Sequence, residues 1–204
     1  MSASMSTRWW WLRHAPVPDP EGRITGNLDL PCDTSEVDCF KVLVSHLPLN
    51  PLLVESGLMR CGQTIGALEA AGMVLPPAIV EPDLAEQDFG RWQGHSWNEL
   101  ATAKDPDLEA FWRDPSHTTP PAGESFADVI RRVSRVIERL NREHAGRDIL
   151  VVAHAGSIRA ALALALDISP ESALRFGVEP LSLTRMDSVA GGWRVAGVNA
   201  LPFL

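Results

Sequence analysis

The segment RWWWLRHAPV, residues 8 to 17, decides the fold, because a run of bulky apolar side chains leads directly into a cationic pair. RWWWL, residues 8 to 12, is apolar at four consecutive positions, 9 to 12, which predicts a strand buried on both faces and therefore central in a sheet covered by helices. The end of such a strand would deliver Arg13 and His14 to the edge of the sheet.

The chain has 204 residues and a formal net charge of −8. The length predicts one domain, residues 1 to 204, with residues 1 to 7 as a flexible tail. The negative charge argues against nucleic acid or an anionic membrane as a partner, and no apolar run reaches transmembrane length. Three cysteines without C-x-x-C spacing and the lack of a signal peptide predict a cytoplasmic protein without a zinc site. A homodimer is compatible with the sequence.

Predicted strands alternate with predicted helices, which indicates an α/β fold with a mostly parallel sheet and helices on both faces. Further strands are predicted at 51–56, 78–84 and 148–156, and helices at 33–47, 57–72, 125–146 and 157–168. Asp33 or Thr34 is expected to cap the first helix, and Gly72 to stop the second. Residues 181–201 contain two strand-like runs joined by Ala190-Gly191-Gly192, which is typical of a hairpin.

Two long segments interrupt this alternation. Residues 13 to 31 contain many prolines and glycines, and loops of such length in a compact domain are usually functional. Residues 104 to 124 are polar and proline-rich, with room for at most one short helix.

Polar side chains follow several of the predicted strands. Arg13 and His14 end the first strand, and Arg60 lies in the first turn of the helix after the second strand. Glu86 lies in the loop after the third strand, and His154 follows ILVVA. Parallel sheets bind ligands at the carboxyl ends of their strands, so these side chains should meet there. Arginines match phosphate oxygens, a neutral imidazole can attack phosphorus, and a carboxylic acid can protonate the departing oxygen.

Each of these residues has a plainer interpretation when it is taken alone. A histidine at a strand end is more often a hydrogen-bonded structural residue. Arg60 would be a solvated helix side chain, and Glu86 a charge at a helix N-terminus. The grouping favours function, because cations gathered at neighbouring element ends repel one another unless an anion binds.

Several motifs follow one another in a characteristic order. They are LRHAPV, GRITGNLDLP, ESGLMRCGQTIGAL, LAEQDFGRWQGHSWNEL, PPAGES and VVAHAGSIRAAL. They resemble segments of the histidine phosphatase superfamily, the phosphoglycerate mutase-like proteins, and the resemblance runs from about Trp9 to Leu201. It implies a three-layer α/β/α sandwich in which residues 104 to 124 form a partial cap over the site.

The resemblance also implies roles for individual residues. His14 would be the nucleophile that accepts phosphate, and Glu86 would be the proton donor. Arg13, Arg60 and His154 would hold the phosphoryl oxygens.

The sequence departs from the family pattern at three places. Ala15 and Ala155 stand where the family has a glycine after each histidine. Alanine does not adopt a positive φ comfortably, so we expect these positions to require small bulk rather than left-handed backbone. The family's E-T-x-x-N stretch is replaced by PVPDPEG, which leaves Asn27 as the candidate phosphate-binding asparagine.

The expected activity is hydrolysis of a small phosphomonoester through a phosphohistidine, by an enzyme of the histidine acid phosphatase type that needs no metal or cofactor. FGRWQGHSWNEL and FWRDPSHTTPPAGES resemble the phosphatase branch that includes alpha-ribazole phosphatase, which makes alpha-ribazole phosphate a candidate substrate. One alternative is a mutase of the phosphoglycerate type, although the short cap favours hydrolysis because water would reach the intermediate. The other is a member that binds a phosphorylated ligand without turnover.

Overall fold

A computed structural model describes residues 6–19, 21–190 and 192–201. Its strands are β1 (Thr7–Arg13), β2 (Leu52–Glu55), β3 (Ile79–Val80), β4 (Asp148–Ala153), β5 (Leu183–Val189) and β6 (Gly192–Ala200). They form one sheet in the order β3-β2-β4-β1-β5-β6. The first four strands in this order are parallel to one another. β5 runs antiparallel to β1, and β6 runs antiparallel to β5. The predicted sheet, mostly parallel with a C-terminal strand pair, is therefore confirmed.

Helices cover both faces of this sheet. They are α1 (Val37–His46), α2 (Met59–Ala70), α3 (Trp97–Thr102), α4 (Leu108–Arg113), α5 (Phe126–Glu143), α6 (Ala155–Leu166) and α7 (Pro170–Ala173). The buried side chains of α1 and α2 pack with one face of the strands, and those of α5 and α6 pack with the other. The predicted three-layer architecture is confirmed. No helix in the described part of the chain is long and apolar enough to span a membrane.

The tryptophan strand β1 crosses the middle of the domain. Trp9 and Trp11 are fully buried against the α5–α6 layer, and their rings stack with centroids 5.8 Å apart. Trp10 points to the opposite face, where the guanidinium of Arg185 lies 4.4 Å from its ring centroid. Because neighbouring side chains of a strand point to opposite faces, both layers gain apolar contacts from this one strand.

The expected cap of α1 is wrong. The helix begins at Val37, after Glu36, which makes no side-chain capping bond. Asp33 instead accepts the backbone N–H of Ser35 at 2.9 Å, which closes a turn before the helix begins. Neither Asp33 nor Thr34 is the capping residue.

Two other expected boundaries also change. The strand expected at 78–84 is only the two-residue β3, because Pro82 has no N–H for the ladder and starts a 3₁₀ turn instead. The expected tail is too long, since Thr7 is buried and belongs to β1. Residues 1–5 of that tail, and Gly191 of the expected hairpin turn, lie outside the described residues.

The chain before α3 packs closely on the chain before α5. Gly90 has φ +54°, and a Cβ added there would lie 2.1 Å from the carbonyl oxygen of Pro121. The neighbouring Arg91 donates its backbone N–H to the same carbonyl at 2.9 Å. Glycine at position 90 therefore permits both the left-handed backbone and the close approach.

We predict that Gly90→Ala destabilises the protein much more than Gly94→Ala. Gly94 also has a positive φ, +83°, but a Cβ there would meet nothing within 4 Å. Both variants incur the left-handed penalty of about 1 kcal/mol, and Gly90→Ala adds a steric penalty of about 2 kcal/mol. Urea denaturation of both variants measures the difference, and equal losses would contradict the close-approach argument.

Candidate active site

Backbone pairing aligns the ends of β1 and β4. Arg13 is in register with Ala153, and the N–H of His14 donates to the Ala153 carbonyl at 3.0 Å. His14 and His154 therefore leave adjacent strands at the same level, with ring centroids 5.0 Å apart.

The His14 ring is held in one tautomer. Its Nδ1 lies 2.6 Å from the carbonyl oxygen of Ala15, which can only accept, so Nδ1 carries the proton. The unprotonated Nε2 has no hydrogen-bond partner among the described residues, and His14 lines a cavity. Burial, followed by the charges of Arg60 and Arg13, lowers the pKa of His14 to about 3, whereas the bond to Ala15 acts in the opposite direction. The ring is therefore neutral and able to act as a nucleophile at neutral pH.

Arg60 is a buried cation held by the long loop of residues 13 to 31. Its Nη1 donates to the Leu28 carbonyl at 2.6 Å, and its Nη2 donates to the Gly26 carbonyl at 2.8 Å. Its Nε donates to Nδ1 of His154 at 3.2 Å. Burial lowers the pKa of Arg60, but a guanidinium stays charged in proteins. The loop thus fixes a cation in the cavity wall.

His154 is completely buried and holds Arg60 in place through a hydrogen bond. Since its Nδ1 accepts from Arg60, its Nε2 carries the proton and lies 2.8 Å from Ser56 Oγ. Burial, followed by the charges of His14 and Arg60, holds the pKa of His154 well below its usual value. His154 is not among the residues that line the cavity. The structure therefore brings it next to the other predicted residues, but not to the cavity surface.

Arg13 also lines the cavity. Its Nη1 donates to the Val178 carbonyl at 2.6 Å, and its buried Nε has no partner among the described residues. Burial is the largest cause that lowers the pKa of Arg13. A buried donor without a partner is costly, which is consistent with a site that is completed by an anion.

Glu86 reaches the cavity across the N-terminus of α6. Its carboxylate accepts the N–H of Gly156 at 3.0 and 3.2 Å. A Cβ at Gly156 would lie 2.1 Å from Oε1 of Glu86, so only glycine permits this contact. The loop that carries Glu86 is also tied to α6, because Ser157 Oγ donates to the Leu84 carbonyl at 2.7 Å.

Sequence reasoning missed the residue that supports this loop from α5. Arg132 donates to the carbonyls of Asp83 at 2.6 Å and of Glu86 at 3.2 Å. It also pairs with Glu124 at 2.7 Å. Glu124 belongs to the PPAGES motif, so the sequence pointed to one partner of this ion pair. Nothing in the sequence distinguishes Arg132 from other arginines of α5.

These residues surround a cavity of about 650 Å³. One side is an aromatic wall formed by Phe89, Trp97, Phe111 and Trp112. Trp97 and Phe111 stack with centroids 5.6 Å apart, and Trp112 is 56% exposed. Phe111, Trp112 and Pro115 come from residues 104–124, the expected cap.

The cavity wall also contains Arg23 and Arg159, which sequence reasoning did not select. Arg159 is the final arginine of VVAHAGSIR, so the motif contained that signal. Asn27 does not line the cavity, and its backbone N–H donates to Gln93 Oε1 at 2.8 Å. Its position gives no support to a phosphate-binding role.

The two alanines fit the site without strain. Neither Ala15 nor Ala155 has a positive φ. The Ala15 N–H donates to Thr64 Oγ1 at 2.9 Å, and Ala155 begins α6. The expectation that these positions do not require left-handed backbone is confirmed.

Comparison with known proteins defines the class. A profile of the Histidine phosphatase superfamily (branch 1) matches residues 9–201. The protein therefore belongs to this superfamily, as its fold and the arrangement of His14, Arg13 and Arg60 had indicated.

Individual relatives fall within the same class. The chain is 28% identical over 193 residues to adenosylcobalamin/alpha-ribazole phosphatase of Salmonella typhimurium, covering 90% of this chain and 92% of that protein. It is 33% identical over 149 residues to a 2,3-bisphosphoglycerate-dependent phosphoglycerate mutase of Rhizobium etli, covering 68% and 69%. The structure of alpha-ribazole phosphatase from Shigella flexneri is similar, with a TM-score of 0.83, 25% identity and coverage of 95% and 96%.

Another relative is much longer than this chain. Bifunctional protein Rv2228c of Mycobacterium tuberculosis is 38% identical over 140 residues, which are 69% of this chain but only 38% of that protein. The chain thus spans well under half the length of this mycobacterial relative.

We predict that acid destabilises the fold, because the His14 ring binds a proton in the unfolded state but not in the folded state. The pKa of His14 is about 3 in the folded protein and 6.5 for an unperturbed ring, so between these values only the unfolded state binds the proton. The free energy of unfolding is not reduced by this titration above about pH 6.5. At lower pH it falls by about 1.4 kcal/mol per pH unit. From pH 6 to 4, the unfolding free energy should fall more steeply for wild type than for His14→Gln.

Urea denaturation at a series of pH values measures this slope. His46→Gln, which changes an exposed histidine of α1, should keep the wild-type slope. Identical slopes for wild type and His14→Gln would show that the ring is not held neutral by burial.

Proposed function

We propose that the protein hydrolyses the phosphomonoester of a small metabolite through a phosphohistidine on His14. One observation carries this proposal. The neutral His14 ring is anchored through Nδ1 and leaves Nε2 open in a cavity that also contains Arg13 and Arg60. A fixed nucleophile beside fixed cations is the arrangement that phosphoryl transfer requires.

In the first step, Nε2 of His14 attacks phosphorus and the bond from phosphorus to the alcohol oxygen breaks. Glu86 donates a proton to that oxygen as it leaves. Arg13 and Arg60 neutralise the charge on the phosphoryl oxygens. The ring becomes cationic when it carries phosphate, and the Nδ1 bond to the Ala15 carbonyl stabilises that charge.

In the second step, water attacks the phosphohistidine and the bond from nitrogen to phosphorus breaks. The Glu86 carboxylate accepts the proton from this water, which prepares it for the next cycle. Phosphate leaves, and His14 returns to its neutral form. In this proposal His154 is a positioning residue, since it acts through its contacts with Arg60 and the His14 ring.

We infer that neither step needs a metal ion. The guanidinium groups of Arg13 and Arg60 lie where a metal would otherwise neutralise phosphate charge, and their charge does not depend on pH in the physiological range. The support for this inference is the cationic wall itself.

Alpha-ribazole phosphate is the first candidate substrate, because the Salmonella and Shigella proteins carry the name of that activity. The aromatic wall is compatible with a ring in the alcohol part of the substrate. Trp92 lies next to Trp97 of this wall, with ring centroids 6.0 Å apart, but it is buried and does not line the cavity.

A mutase is the second candidate, favoured by the similarity to the Rhizobium enzyme. It would use the same histidine but return the phosphate to a second substrate. The exposed Trp112 at the cavity wall indicates that water can enter, which favours hydrolysis. A binding protein without turnover is the third candidate, and the complete set of reacting groups argues against it.

We expect wild type to release phosphate from p-nitrophenyl phosphate in the presence of EDTA, and His14→Ala to lose several orders of magnitude in kcat/KM. His46→Ala, on the exposed face of α1, is the control and should behave as wild type. Mass spectrometry without acid should find phosphate on His14. With 3-phosphoglycerate and a bisphosphoglycerate primer, we expect free phosphate rather than isomer alone. Full activity of His14→Ala would refute the covalent route.

We expect Glu86→Gln to lower kcat/KM, which reports formation of the phosphohistidine, by about two to three orders of magnitude, because Gln cannot donate the proton. The loss should be larger for glycerol 3-phosphate than for p-nitrophenyl phosphate, since nitrophenolate leaves without protonation. Glu55→Gln is the matched control, because Glu55 is the last residue of β2, accepts the Gly57 N–H and does not line the cavity. Equal losses for the two substrates would exclude Glu86 as the acid.

A further inference from the structure

The orientation of the His14 ring depends on a stretch of backbone that is held by a residue outside the cavity. The ring is anchored to the Ala15 carbonyl through Nδ1, at 2.6 Å. The Ala15 N–H in turn donates to Oγ1 of Thr64 at 2.9 Å. Ala15 and Thr64 are both fully buried, and neither lines the cavity. The nucleophile is therefore connected to α2 through a side-chain hydroxyl.

The hydrogen-bond roles of the Thr64 hydroxyl follow from its partners. Its own proton goes to the Arg60 carbonyl at 2.7 Å, because a carbonyl can only accept. The Ala15 N–H can only donate, so it occupies a lone pair of the same oxygen. Thr64 thus joins the backbone beside the nucleophile to the backbone of Arg60, which lies about one turn earlier in α2.

Backbone donors are scarce where the chain leaves β1. The His14 N–H is paired with β4, and Pro16 has no N–H to donate. Ala15 therefore carries the last backbone donor before Val17. Pro16 is exposed, so the Ala15 carbonyl lies at the boundary between the core and a surface loop. Without the Thr64 hydroxyl, the buried Ala15 N–H would lose its partner, and the anchor of the ring would be less constrained.

The guanidinium of Arg60 does not share this dependence on Thr64. It is held by the carbonyls of Leu28 and Gly26 and by Nδ1 of His154. None of these bonds involves the Thr64 hydroxyl. Loss of that hydroxyl should therefore disturb the orientation of the nucleophile and leave phosphate binding by the cations largely unchanged.

We propose that Thr64 is a positioning residue, whose hydroxyl fixes the Ala15 backbone and thereby aims Nε2 of His14 at phosphorus. This rests on the proposed function, because it concerns the ring that attacks in the first step. Thr64 takes no part in the making or breaking of bonds and acts only through Ala15. Its effect on the rate is large because a displacement of about 1 Å in a reacting group can cost roughly 100-fold.

Thr64→Val tests this role, since valine keeps the branched shape but has no hydroxyl. In single-turnover experiments with p-nitrophenyl phosphate, we expect phosphohistidine formation to slow by about tenfold to 100-fold. Calorimetry with inorganic phosphate should give an affinity within about threefold of wild type, because Arg13 and Arg60 are unchanged. Thr64→Ser restores the hydroxyl and should recover most of the rate. Should Thr64→Val not fold, Thr64→Ala removes the same hydroxyl without adding a methyl group.

Thr184→Val is the matched control. Thr184 is also buried, and its Oγ1 accepts the Asn199 N–H at 3.2 Å, so this change likewise removes a bond from a hydroxyl to the backbone. Both valine variants should lose stability in urea, but only Thr64→Val should slow phosphorylation. An unchanged rate in Thr64→Val, a parallel loss of phosphate affinity, or an equal loss of rate in Thr184→Val would overturn the positioning role.

A measurement without turnover separates this proposal from the proposed function. NMR of the isotope-labelled protein should detect the Nδ1 proton of His14 in wild type and in Thr64→Ser, because its bond to the Ala15 carbonyl slows exchange with water. In Thr64→Val this signal should shift or broaden. If wild type releases no phosphate but the signal depends on Thr64, the hydrolytic mechanism fails and the positioning of the ring stands. If hydrolysis through His14 and the signal are both unchanged in Thr64→Val, the mechanism stands and the positioning role fails.

Discussion

The hydrogen bond from the His14 N–H to the Ala153 carbonyl extends the β1–β4 ladder by one step beyond the strand, and the site depends on it. It places the His14 ring next to His154, and His154 in turn accepts from Arg60. Because the two strands are parallel and in register, residues that are distant in sequence arrive at one edge with little freedom left. Trp9 and Trp11 anchor this ladder in one layer of the core, and the partly buried Trp10 packs against the other.

Burial has two effects on the chemistry of this edge. It holds the histidines in their neutral forms, and it concentrates the positive charge of the arginines where water cannot screen it. Backbone carbonyls from the loop before α1 offset part of the cost of burying the Arg60 charge, since they accept its N–H groups. The same arrangement reduces stability in the absence of an anion and favours binding of one. A preformed set of donors also avoids reorganisation when charge develops in the transition state.

Residues whose position follows from local rules could be predicted from the sequence. Arg13 and His14 lie at the end of a recognisable buried strand, and the helix expected at 125–146 is α5, Phe126–Glu143. Predictions failed where short polar segments choose among competing local bonds, as Asp33 does when it closes a turn instead of capping α1. The tertiary context also shortened β3 at Pro82.

The sequence by itself determined the alternation of strands and helices, and therefore which residues stand at the ends of parallel strands. It also allowed the prediction that Ala15 and Ala155 do not need left-handed backbone. Only the tertiary structure decided that His154 supports Arg60 instead of facing the cavity, that Arg132 supports the Glu86 loop, and that Arg159 lines the cavity. The physical reason is that periodicity and backbone pairing are local and repetitive, so they can be read along the chain. Burial and charge balance depend on side chains from several elements, whose distances are set only when the layers pack.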